Sequence, residues 1–201
     1  MAEIVWISEN PRNAAMVAIA SAQHALNLGT RLPPAAVFDI DETLLRNRAD
    51  DRVTVQPAGK KMFEWAAKNN VAIFLLTARR KSPDAFAFAK KQLRALGYGL
   101  KGNVRKIYMV SRAYDGDNDA GARFKRTIRQ RIAASHSIVL NAGDRWGDVT
   151  LSTSAPANAP RENAYMGVVS GESGVLQQRL DPMIFANRWV YRAARYLHFL
   201  V

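Results

Sequence analysis

Apolar residues in this chain follow two rhythms. Four short runs, 35–38, 71–76, 107–110 and 137–140, are almost unbroken by polar side chains. That is the pattern of strands buried on both faces of a parallel sheet. Between them, apolar positions recur three or four apart. Met16, Ile19, Ala22 and Leu26 mark one amphipathic helix, opened by Asn10 and Pro11 and stopped by Gly29. Pro57 opens a second, running to about Lys68 with Phe63, Ala66 and Ala67 inward and Asn69 and Asn70 at its end. Ser82 and Pro83 open a third, which buries Phe86, Ala89, Leu93 and Leu96 before Gly97. Helical signals return over 122–134. Residues 46–56 and 152–161 read as polar or loop connections, 115–121 as an acidic, Gly-containing loop, and 164–169 as an outer strand. A final helix is predicted from Pro182.

Strands alternating with amphipathic helices predict an α/β fold: a Rossmann-like parallel central sheet with helices on both faces. In such sheets the site lies beyond the carboxyl ends of the strands. The polar residues at those ends are therefore the ones to weigh.

Composition narrows the picture. The 201 residues suit one domain, with 1–34 as an N-terminal helical extension, 35–150 as the core and 151–201 as a C-terminal strand and helix. A formal net charge of +12, from 29 basic and 17 acidic residues, favours anionic partners. It also fits a merely soluble basic protein. There is no cysteine, which excludes disulfides and thiolate chemistry. No run is long enough to span a bilayer. Residues 14–22, AAMVAIASA, have the apolar character of a leader, but Gln23 and His24 continue the same helix. A core-facing helix and a cytoplasmic location are expected.

The chemistry concentrates where apolar runs end. Asp39 and Asp41 follow 35–38, Thr77 follows 71–76, and Asp144 and Asp148 follow 137–140. Two carboxylates at the tip of a buried strand are costly unless neutralised, and a hard divalent cation, bound through oxygen, does that. The Thr77 hydroxyl and the amides after it, near a helix start, suit a phosphate oxygen. Lys125, at a helix start, would offset the negative charge. Each residue also has a plain role: strand cap, backbone-bonded hydroxyl, solvated lysine, turn residue. Their convergence on one crevice would be hard to explain by chance.

The set VFDIDETLL at 37–45, an apolar strand closing in Thr77, Lys125, and GDRWGD at 143–148 resembles the four-motif signature of the haloacid dehalogenase superfamily. The longer matches, including TARRKSPDAFAFAKKQLRALGY at 77–98 and NAGDRWGDV at 141–149, are similar to the acid phosphatase branch holding class B and plant vegetative enzymes. The resemblance implies a phosphomonoesterase using Mg2+ and an aspartyl-phosphate intermediate. Asp39 would be the nucleophile and Asp41 the general acid and base, with its carbonyl on the metal. Thr77 and the Ala78 amide would bind the phosphoryl group. Apart from the resemblance, Arg79 and Arg80 beside Thr77 are read either as substrate contacts or as a solvated helix start. Lys125 would align Asp39 with it. Asp144 would bind the metal directly, with Asp148 in support.

This chain departs from that branch in its strong basicity, in lacking a recognisable signal segment, and in leaving room for only a small or absent cap between Leu45 and Thr77. An open site admits bulky substrates, so nucleotides or nucleic-acid ends stand beside small phosphate esters as expected partners. A non-catalytic basic binding protein on the same fold is the contrasting expectation, with Arg188, Arg192 and Arg195 of the last helix as its polyanion-facing flank.

Overall fold

The computed structural model describes residues 4–8, 11–114, 120–145, 148 and 166–173. In chain order the elements are β1 (Ile4–Ser8), α1 (Pro11–Leu28), β2 (Pro34–Asp39), β3 (Leu45–Asn47), β4 (Val53–Val55), α2 (Pro57–Lys68), β5 (Ala72–Arg80), α3 (Pro83–Ala95), β6 (Val104–Val110), α4 (Ala120–Ala133), β7 (Ser137–Gly143) and β8 (Met166–Ser173). One six-stranded sheet runs β1-β8-β7-β2-β5-β6. Its four strands β7, β2, β5 and β6 are parallel, and β8 and β1 extend it antiparallel beyond β7.

The strand pleat sorts side chains into two cores. Ala36, Phe38, Ile73 and Leu75 face one side, packed with alanines of α1, with Met62, Phe63 and Ala66 of α2, and with Leu93 of α3. Ala35, Val37, Ala72, Phe74 and Leu76 face the other, packed with Phe124, Ile128 and Ile132 of α4. Period-two alternation within apolar runs thus gives each face of the sheet its own cover of helices. The fold is the expected parallel α/β sheet flanked on both faces.

Strand order also places a crevice. From β2 the chain passes to its neighbour β5 and then to β6. It next crosses back through α4 to β7, on the other side of β2. The carboxyl ends of β2 and β7 therefore bracket the point where winding reverses, where open α/β sheets bind ligands.

Several local expectations are corrected. The inward face of α1 is Ala15, Ala18, Ala22 and Ala25, and Met16 is 44% exposed. Small alanines let the helix lie close to its neighbours, and the larger side chains turn outward or sit at the margin. Phe86 is 37% exposed, with Lys90 Nζ 4.6 Å from its ring centroid, while Ala89 and Leu93 are buried as expected. Ala67 is exposed, and Ala58, Gly59 and Met62 join Phe63 and Ala66 on the buried side of α2. β5 does not end at Thr77 but runs to Arg80, pairing with β6 again after a register shift. The polar stretch after β2 holds a two-stranded ribbon, β3 with β4, and this is all that intervenes before α2. Strand β1 was not anticipated. The predicted outer strand is β8, Met166–Ser173. The predicted loop at 152–161 and the basic helix from Pro182 lie outside the described residues.

Candidate active site

Asp39 is the last residue of β2 and is buried. Beyond it the chain turns at once. The amides of Leu44 and Leu45 both donate to the Ile40 carbonyl, at 3.0 and 2.8 Å, and Glu42 takes φ 57°. That tight loop brings Thr43 back beneath the strand end, where its hydroxyl donates weakly to Asp144 Oδ1 at 3.5 Å.

Lys125 does not sit in the first turn of its helix but further along α4, pointing inward. It is 3% exposed, and its ammonium donates to Asp39 Oδ1 at 2.6 Å and to Asp148 Oδ1 at 2.5 Å. Carboxylate oxygens of Asp39, Asp144 and Asp148 lie within 4.8 Å of one another, the three being buried. Asp148 folds back against Gly143: a Cβ at Gly143 would lie 2.1 Å from that of Asp148. Glycine is thus required where the turn after β7 doubles over. The Arg145 amide then donates to Asp148 Oδ2 at 3.1 Å.

The electrostatics follow from three carboxylates facing one buried ammonium. Burial raises Asp39 well above the ordinary carboxylate range, and Asp148 and Asp144 push the same way against the pull of Lys125. Asp144 rises to about 7, first through burial and then through Asp148. Burial works against the Lys125 charge, but Asp148 and Asp39 outweigh it and hold the ammonium protonated. Excess negative charge on a set of buried oxygen donors is the environment that a hard divalent cation relieves.

A second group lies alongside. The Asp41 carboxylate is gripped by Arg79 in a fork, Nη2 to Oδ1 at 2.6 Å and Nε to Oδ2 at 2.9 Å. The Thr77 hydroxyl donates to Asp41 Oδ2 at 3.3 Å and accepts from the Arg79 amide at 3.2 Å. Arg79 is braced from α3, where Gln92 Oε1 accepts from its Nη1 at 2.6 Å and the Phe88 ring lies 6.0 Å from its guanidinium carbon. The amides after Thr77 do not open a helix. They belong to β5, with Ala78 exposed between Thr77 and Arg79, and the next helix begins at Pro83 with the Ser82 hydroxyl accepting from the Ala85 amide.

Of the residues expected from sequence, Asp39, Lys125, Asp144 and Asp148 meet in one cluster. Asp41, Thr77 and Arg79 form an adjoining hydrogen-bonded set, and the side chain of Asp41 is directed to Arg79 rather than to the three carboxylates. Sequence reasoning missed Thr43, Gln92, Arg129 and Asn141. For Asn141 there was a signal, a lone amide at the end of an apolar run. For Arg129 it was the spacing of four from Lys125 on one helix.

No protein-family model matches the chain, and no curated protein matches it. Solved structures do. The class C acid phosphatase from Bacillus anthracis is similar at a TM-score of 0.56 and 21% identity, over 70% of this chain and 63% of that one. The same enzyme with tungstate bound gives 0.57 and 21% identity over the same shares. The chain therefore spans somewhat less than two thirds of that phosphatase's length. The likeness is one of fold, and it is to class C rather than to the class B and plant vegetative branch suggested by the motifs.

Proposed function

We propose that this protein is a phosphomonoesterase that works through Asp39. The observation that carries the reading is the meeting of Asp39 with Lys125, Asp144 and Asp148 at the point where the sheet reverses its winding. The fold shared with an acid phosphatase that takes tungstate, a tetrahedral oxyanion like phosphate, is consistent with it.

The steps follow from the chain's own groups. Asp39 attacks phosphorus as the bond to the leaving oxygen breaks, giving an aspartyl phosphate. Asp41 passes a proton to the departing oxygen, then takes one from the water that attacks phosphorus and regenerates Asp39. Thr77, Ala78 and Arg79 line the phosphoryl position. Arg79 turning from Asp41 toward the incoming phosphoryl oxygens would release Asp41 for its proton transfers. Lys125 keeps Asp39 aligned and offsets charge on the equatorial oxygens. Asp39, Asp144 and the Asp41 carbonyl would hold Mg2+, with Asp148 in support, since the donors are all oxygen. When bound, that ion supplies positive charge that screens Asp39 from its anionic substrate.

A second reading narrows the substrate to nucleotides or nucleic-acid ends. Phe88, 56% exposed beside Arg79, offers a flat apolar face to a planar leaving group. Hydrolysis of p-nitrophenyl phosphate with Mg2+, compared with that of nucleoside monophosphates, tests both. Failure to hydrolyse any phosphate ester, with the fold intact, would sink the reading.

A further inference from the structure

The backbone carbonyl of Asp148 accepts hydrogen bonds from two buried side chains on different elements. Arg129 Nη1 of α4 reaches it at 2.6 Å and Asn141 Nδ2 of β7 at 2.8 Å. Neither residue takes part in the steps above, and both are almost fully buried. A buried guanidinium is costly to desolvate. Burial lowers Arg129 to about 10 even with Asp148 pulling the other way. Such a group survives in a core only where its hydrogen bonds matter. Arg129 stands one turn beyond Lys125, so α4 directs both cations at Asp148, one to its carboxylate and one to its carbonyl. With the Arg145 amide on Oδ2, each oxygen of Asp148 accepts a hydrogen bond.

We infer that Arg129 and Asn141 are positioning residues: they clamp the Asp148 backbone so that its carboxylate stays within reach of Asp39, Asp144 and Lys125 and completes the cation site. This rests on reading the cluster as a Mg2+ site. Partners behind a metal ligand typically govern affinity about 10- to 100-fold.

The test is calorimetric titration of Mg2+ into the full metal-free chain, without substrate. Wild-type protein is expected to bind and Asp144→Asn to lose binding. Arg129→Lys keeps the charge but not the planar fork, and Asn141→Ala removes the other donor. Each is expected to weaken Mg2+ binding about 10-fold or more, with KM for a phosphate ester at saturating Mg2+ unchanged. Because both act through one oxygen, the double variant should lose less than the product of the single losses. Undiminished Mg2+ affinity in either folded single variant, or fully multiplicative losses, would overturn the inference. If circular dichroism shows Arg129→Lys unfolded, Asn141→Ala decides alone. Wild-type protein that binds no Mg2+ would overturn the site reading itself, a result distinct from wild-type binding retained by the variants.

Discussion

Gly59 of α2 lies directly against Thr43: a Cβ at Gly59 would stand 1.8 Å from the Thr43 carbonyl oxygen. The contact is backbone to backbone, so neither side can yield by changing a rotamer. It seats the first turn of α2 beneath the loop that follows Asp39, and the same Thr43 turns its hydroxyl to Asp144. Gly59→Ala must push that loop or the helix aside. Overpacking of this kind costs about 1–3 kcal/mol. The variant is expected to melt several degrees lower and to lose most of its hydrolytic activity. Wild-type stability by thermal denaturation would show that α2 does not seat this loop.

Asp39, the proposed nucleophile, offers the sharpest test of the chemistry. Asp39→Asn is expected to abolish hydrolysis of p-nitrophenyl phosphate while the circular dichroism spectrum stays native. Asp41→Asn should lower turnover by about 10²–10⁴-fold, the usual share of a general acid or base, with greater loss on esters of poor leaving groups. Full turnover in Asp39→Asn excludes an aspartyl-phosphate route.

The cluster's charge gives a pH signature. Asp144 has an ordinary value of 3.8 and rises to about 7 in the fold, through burial first and Asp148 next. A carboxyl whose pKa is raised by folding binds its proton more tightly when native. It supports the fold at low pH, and that support is lost as pH rises from 3.8 to about 7. Metal-free protein should therefore melt lower near about pH 8 than near about pH 5.5. Asp144→Asn should shrink that difference. The same difference in wild type and variant would mean that Asp144 is not the strained group.

The divalent ion should act in the opposite sense. On the proposed reading it binds only the native cluster, so Mg2+ is expected to raise the melting temperature near neutral pH, and excess chelator to stop hydrolysis until Mg2+ is restored. Hydrolysis that persists in excess chelator would show that catalysis does not depend on this site.

Tyr98, just beyond α3, supports the loop that follows Asp39. Its buried hydroxyl donates to the Leu44 carbonyl at 2.6 Å, and its ring packs edge-on against Phe63 at 5.0 Å. Tyr98→Phe keeps the ring and removes one of two donors to that carbonyl, the Gln56 amide remaining at 2.9 Å, a loss of about 0.5–1.5 kcal/mol. Equilibrium urea unfolding measures it. An unchanged midpoint would show that the Gln56 amide alone satisfies the carbonyl.

Much of this molecule was legible along the chain. The runs ending at Asp39, Thr77 and Asp144 are apolar because both faces of their strands are covered, so the positions of the central strands could be read directly. Pro57, Ser82 and Pro83 mark helix starts by local backbone chemistry, and the structure begins α2 and α3 where those residues stand. The acidic and basic candidates could be named because charge at the end of a buried strand is expensive and stands out.

What sequence could not decide depends on groups far apart in the chain. The polar ribbon of β3 and β4 carries little apolar signal, and β5 continues past Thr77 only because β6 offers Val110 as a partner for Arg80. Which face of α1 turns inward was set by how closely its alanines approach their neighbours, not by the larger side chains that periodicity weighs most. Lys125 bridges Asp39 and Asp148 across 86 and 23 residues, and Arg79 meets Asp41 across 38. Sequence alone determined which strands end in chemistry, because burial and helix starts are local or periodic. Tertiary structure alone decided which charges pair, because a side chain's partner is chosen by distance in space, and only the crossing from β6 back to β7 brings those strand ends together.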